Sequence, residues 1–229
     1  MLGAVTRELT PRTPGLQVVL CAVEPELARA YEQVAGQFGG WVSSARTSIT
    51  DLAVDAVVSP ANSFAFMDGG LDALYLHRFG HRVQDAARAA VLYRHDGELL
   101  VGQADIVATG AAPIGYVILA PTMRVPMQLP VDTVNPYLAT RAVLRLLERG
   151  TFAEGIHAGT PIHEVVHRVA IPGLGTGTGR VSPRTCAGQV RAALIWACGP
   201  ISLPASWADA SHDHQLLYTD TPGRLQPPI

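Results

Sequence analysis

The chain has 229 residues, 48% of them hydrophobic and 16% charged, with a formal net charge of −2. This composition supports one ample core, and without a basic block it offers no surface for a polyanion, so direct nucleic-acid binding is not indicated. All 17 basic residues are arginine, which excludes Schiff-base and lysine-nucleophile chemistry, and the three cysteines (Cys21, Cys186, Cys198) and eight histidines show no metal-type spacing, so neither metal nor cofactor is expected. Sparse cysteines, an N-terminus unlike a secretion signal and no bilayer-spanning apolar run give the expectation of a cytoplasmic protein without a membrane partner.

Residues 1–15, which include Thr10-Pro11-Arg12-Thr13-Pro14-Gly15, are expected to be an irregular lead-in to a domain over residues 16–200. Leu16 to Val23 reads as a strand, Pro25 suits the first turn of a helix running to about Ala35, and Gly39-Gly40 breaks it. Trp41 to Ile49 reads as a second strand. This β-α-β opening fits a layered α/β protein.

The central stretch follows. Val54 to Val58 is a short valine-rich run that reads as a strand buried on both faces, ended by Pro60, which cannot donate to a ladder. The next loop carries the amide Asn62 and the pair Gly69-Gly70 before a helix opens near Leu71. Glycines allow close backbone approach, and the first N–H groups of a helix lack internal partners, so this terminus is a ready anion site. Asp72 falls in the first helical turn, where a carboxylate suits the helix dipole and also faces whatever the loop holds.

Leu74, Leu76, Phe79 and Val83 continue at helical spacing, with Gly80 as a break before a second helix from Gln84 to Tyr93. His95-Asp96-Gly97 is a turn, Glu98 to Val107 a strand pair or ribbon, and Gly115 to Pro121 another buried strand. Met123 to Thr133 reads as a loop over the sheet, and a helix runs from Asn135, as cap, through Pro136 to Gly150. Val165 to Ile171 is a strand feeding a second glycine loop, Gly173-Leu174-Gly175-Thr176-Gly177-Thr178-Gly179, which precedes a helix from Ser182 to Cys198. Alternating glycines with threonines can form a nest of N–H donors. Two such loops, each between strand and helix, point to a diphosphate in the crevice at the strand ends. Neither is a Walker loop, and no G-x-G-x-x-G occurs. Residues 201–229 are expected to be a surface extension; His212 and His214, on a segment read as extended, have no evident third ligand and read as solvated.

Ile49-Thr50, the Val-Asp-Ala-Val-Val strand, Ala61-Asn62-Ser63, Gly69-Gly70-Leu71-Asp72, Gly102-Gln103-Ala104 and Gly175-Thr176-Gly177 occur in an order that resembles the macro domain, a family that binds ADP-ribose. The resemblance runs from about Arg46 to about Gly199. It implies a three-layer α/β/α fold with a central mixed sheet, and ADP-ribose or an ADP-ribosylated macromolecule as partner. Carried over residue by residue, it places Asn62 on the distal ribose and gives Asp72 the role of activating or orienting a water at the anomeric carbon C1″. It adds Ser48, Ile49, Ala61, Gly69, Gly70, Leu71, Gly173, Leu174, Gly175, Thr176, Gly177, Thr178 and Gly179 as substrate-binding positions.

The chain departs from the family pattern in three places. Ser48 stands where an Asp commonly accepts from the adenine amino group, Ser59 replaces the first Asn of the loop, and the aromatic residue of the second loop is missing, leaving Phe64 or Phe66 to cover the ribose. Two functions follow from the resemblance: a hydrolase that removes ADP-ribose from conjugates, or a non-catalytic reader of ADP-ribose or a related nucleotide. A phosphatase acting on ADP-ribose 1″-phosphate is a third.

Overall fold

The interior strands alternate strictly and are apolar on both faces. In the computed structural model, which describes residues 9–60 and 62–225, β1 (Gln17–Cys21) sends Val18 and Leu20 into one core and Val19 and Cys21 into another. The same division holds for β3 (Ala56–Ser59), with Ala56 and Val58 opposite Val57, and for β6 (Arg168–Ile171), with Val169 and Ile171 opposite Ala170. A sheet apolar on both sides must be covered on both sides.

Helices provide that cover. α1 (Pro25–Ala35), α4 (Asn135–Arg149) and α5 (Pro183–Cys198) fill one core with Leu27, Tyr31, Val143, Leu147, Val190 and Leu194. α2 (Gly70–Phe79) and α3 (His81–Arg94) fill the other with Tyr75, Phe79, Val83, Ala87 and Val91. Each fully buried side chain of Leu or Tyr size contributes roughly 1.5–3 kcal/mol of burial. The result is the expected three-layer α/β/α architecture around a mixed sheet of order β2-β1-β6-β3-β5-β4. β2 (Val42–Ala45), β1, β6, β3 and β5 (Tyr116–Leu119) run parallel, and β4 (Asp105–Ala108) closes the edge antiparallel to β5.

Local chemistry sets the helix ends. The Glu24 carboxylate accepts from the N–H groups of Glu26 and Leu27 to cap α1, and Ser182 Oγ accepts from Thr185 N to cap α5. Gly80, at φ 80°, separates α2 from α3 as the sequence predicts.

Four segments differ from expectation. The strand predicted over Trp41 to Ile49 stops at Ala45; Ile49–Asp51 is a 3₁₀ turn that drops Ile49 into the core beside Val54 and Val57. The ribbon predicted over Glu98 to Val107 reduces to β4, because Leu99 N bonds to Ser63 O and the chain turns at Gly102, φ 93°. Asn135 does not cap α4: its Nδ2 donates to Thr122 O at 2.8 Å. In the C-terminal extension Ser206 caps α6 (Trp207–Gln215), so His212 and His214 lie on a helix and not on an extended segment. Residues 9–15 are irregular, with Arg12 bonded to Glu148 at 3.0 Å and its guanidinium 4.5 Å from the Trp196 ring centroid. Among the described residues no helix is long and apolar enough to cross a membrane, and no three His, Cys, Asp or Glu side chains form a metal-type cluster.

Candidate ligand-binding cleft

β3 and β6 lie side by side and parallel, yet the helices that follow them cover opposite faces: α2 one, α5 the other. The loops leaving the two strands therefore diverge, opening a crevice at the carboxyl ends of the sheet. Its walls come from three places. Pro60, Asn62, Phe66 and residues 68–72 follow β3; Gly173, Gly175, Gly177, Thr178 and Gly179 follow β6; Thr122, Met123 and Pro126 follow β5. The cavity measures about 210 Å³.

The first wall is held from below. Tyr75 OH, one turn into α2, donates to Val58 O at 2.9 Å, and Thr122 Oγ1 donates to Pro60 O at 2.9 Å. Gly69 is extended and Gly70 takes φ 56°, so the chain turns sharply into α2. No side chain caps this helix, and its first N–H groups have no intrahelical partner.

Asp72 is the buried charge of the cleft. Its residue is 7% exposed, and its Oδ1 accepts from Ser59 Oγ at 2.6 Å. Burial pushes its carboxyl up to about 6; the Ser59 hydrogen bond pulls it back down, and the charge of Asp68 adds to the rise. Ser59 itself is fully buried on β3.

Asn62 works inside its own loop. Its Nδ2 donates to Phe66 O at 2.9 Å, while its Oδ1 accepts from the N–H groups of Phe64 and Phe66 at 3.1 and 3.3 Å. The amide thereby folds residues 62–66 into a turn and sets Phe66 on the rim, with one Nδ2 hydrogen left for another acceptor.

In the second loop, the glycines serve two different ends. A Cβ on Gly179 would fall 2.5 Å from the backbone Gly175 O, so packing alone demands glycine there. One on Gly173 would fall 2.5 Å from Thr176 Oγ1 and 2.7 Å from Leu27 Cδ2, side-chain atoms that would have to shift. Gly177 has open space where a Cβ would stand, and it lines the cavity. The loop is anchored beneath by Tyr31 OH, which donates to Pro172 O at 2.8 Å, and by Leu174 N, which donates to Cys186 Sγ at 3.4 Å.

Of the positions expected from sequence, the structure gathers Asn62, Gly69, Gly70, Leu71, Asp72, Gly173, Gly175, Gly177, Thr178 and Gly179 around one cavity. Ser48, Ile49, Leu174 and Thr176 are not in its lining. Ser48 Oγ is 2.9 Å from Thr50 Oγ1, Ile49 and Leu174 are core residues, and Thr176 folds back toward Gly173. Ala61 lies outside the described residues. Sequence reasoning missed Met123 and Pro126, which sit in a segment read only as a loop over the sheet, and Thr122 just before it. Asp68, exposed, is also part of the rim.

A profile described as "Macro domain" matches residues 58–190, more than half of the chain. A protein of Aquifex aeolicus is 34% identical over 140 residues, covering 61% of this chain and 72% of its own length. A protein of Aeropyrum pernix is 36% identical over 137 residues, covering 58% of this chain, which in turn spans only 60% of that relative. The fold is also similar to the macrodomain of Mycobacterium tuberculosis DarG, at a TM-score of 0.50 and 18% identity, covering 67% of this chain and 86% of the other. The chain belongs to the macro domain family.

Proposed function

We propose that the cleft binds ADP-ribose and that the protein releases ADP-ribose from conjugates by hydrolysis at the distal ribose C1″. The observation that carries this reading is Asp72, a buried carboxylate in the first turn of α2 that lines the same cavity as both glycine loops. The diphosphate lies against backbone N–H groups at the start of α2 and in the Gly173–Gly179 loop, where dipole and donors favour negative charge. Held there, the distal ribose is brought toward Asp72, so that a bound water reacts as if intramolecular. Asp72, with its carboxyl at about 6, is mostly ionised at neutral pH yet basic enough to take a proton from that water. The water oxygen bonds to C1″ as the bond to the leaving group breaks, and the leaving group departs with the electron pair.

A cavity of about 210 Å³ is small beside the roughly 300–1,000 Å³ of ordinary ligand sites. It suits the diphosphate and distal ribose, with the adenosine end outside it toward Ser48.

The Asn62 amide favours a second reading. Because it already makes three hydrogen bonds within its loop, its grip on a ribose is limited to one N–H, and a reader that binds without turnover needs no more. Calorimetric titration with ADP-ribose, AMP and other nucleotide diphosphate sugars tests the binding common to both. ADP-ribose is expected to bind best, and no heat from any of them at millimolar concentration would remove the ligand assignment.

A further inference from the structure

A second cavity, of about 580 Å³, lies beside the cleft and shares one wall with it. Phe66 lines both. The groove is completed by Phe64 from the same turn, by Arg88, Leu92 and Tyr93 on α3, and by Gly97 in the turn that follows. Phe66, Leu92 and Tyr93 are 50%, 56% and 80% exposed, an apolar concentration at one concavity that the fold itself does not use. The inward face of α3 packs through Val83, Ala87, Ala90 and Val91 instead.

The groove is built, not loose. The Asn62 amide fixes the turn, the Arg88 guanidinium stands 4.7 Å from the Phe66 ring centroid, and its Nη1 donates to Phe64 O at 3.4 Å.

We infer that this groove receives the polypeptide to which ADP-ribose is attached, seating a bulky apolar side chain next to the modified residue against Phe66, Leu92 and Tyr93. The inference rests on the proposed reading of the cleft. A conjugate whose C1″ lies at Asp72 must leave over the rim, and at Phe66 the rim leads straight into the groove. Charge selects the class of partner. Arg88 is the single cation of the lining, Arg124 nearby is paired with Glu98 at 2.7 Å, and Asp85 and Asp96 are exposed on α3 and its closing turn. A nucleic-acid strand requires a basic track along its phosphates, which this surface lacks; apolar walls with one guanidinium suit a peptide.

The test uses the full chain and peptides carrying ADP-ribose through a hydrolysis-resistant linkage, with either leucine or glycine beside the modified residue. Leu92→Ser and Tyr93→Ser change only the outward side of α3. Both variants are expected to bind free ADP-ribose within about twofold of wild type and to bind the leucine-flanked peptide about tenfold more weakly, the scale of one lost apolar side-chain contact. The glycine-flanked peptide is expected to be insensitive to them. Equal affinity of wild type for the two peptides, or unchanged binding in both variants, overturns the groove while leaving the cleft reading intact. Weakening confined to an ADP-ribosylated oligonucleotide overturns the polypeptide as occupant. Failure of wild type to bind free ADP-ribose overturns the cleft reading, and this inference with it.

Discussion

The hydroxyl of Ser59, on β3, donates to the carboxylate of Asp72, on α2, across 2.6 Å, with both residues buried. The bond links the sheet to the helix that opens the cleft, and it is the interaction that holds the Asp72 carboxyl down against its burial. Ser59→Ala removes it. The apparent pKa for hydrolysis is expected to rise from about 6 by about one to two units, since a hydrogen bond to a charged group is worth about 1.5–3 kcal/mol. Ser59→Thr should restore the profile. An unshifted pH–rate profile in Ser59→Ala would separate the hydroxyl from the chemistry.

The same carboxylate costs stability. Its folded pKa of about 6 exceeds the ordinary 3.8, so its favourable contribution is complete below pH 3.8 and is lost as pH rises through 6. Asp72→Asn removes the ionisation. The variant is expected to be more stable than wild type at pH 8 by about 2–3 kcal/mol, with the gap closing as pH falls toward 4. Urea unfolding at the two pH values measures it; a gap independent of pH would mean that Asp72 does not titrate in this range.

Gly177 and Gly179 are expected to part ways. Gly179→Ala drives a methyl against Gly175 O and should lower stability by about 1–3 kcal/mol. Gly177→Ala meets open space, so its melting temperature should stay near wild type while ADP-ribose affinity falls, because the methyl enters the cavity. Wild-type affinity in Gly177→Ala would take this stretch of loop out of the ligand contact.

Much of this was legible in the sequence because it is written in local pattern. The alternation of Val57 between Ala56 and Val58, and the placing of Gly69, Gly70 and Asp72 after Pro60, are local features that give the buried strand and the glycine turn into α2. The Ser59–Asp72 bond was not legible, since it joins residues 13 apart across a loop. Ser59 stood out only as a departure from the family pattern. Nor could spacing show that the Asn62 amide spends its acceptor on Phe64 and Phe66, or that Ile49 ends β2 early by turning into the core. Such outcomes depend on what packs nearby, and no period in the sequence encodes it.

Ser48 stands outside the cavity lining, bonded to Thr50, and its expected place near the base can be tested directly. Ser48→Asp should strengthen the preference for adenine over other bases, because an ionised acceptor makes a hydrogen bond about twice as strong as a neutral one. Unchanged base preference would show that position 48 does not face the base.

The central claim is that the cleft holds ADP-ribose and that Asp72 acts on water at C1″. The direct measurement follows release of ADP-ribose over time from a mono-ADP-ribosylated protein, by wild type and by Asp72→Ala, with ADP-ribose affinity measured beside it. The account predicts release by wild type, a rate lower by roughly a hundredfold or more in Asp72→Ala, and affinity changed far less. Wild-type protein that binds ADP-ribose yet releases none would leave a reader in place of a hydrolase. Full activity in Asp72→Ala would contradict the account at its centre.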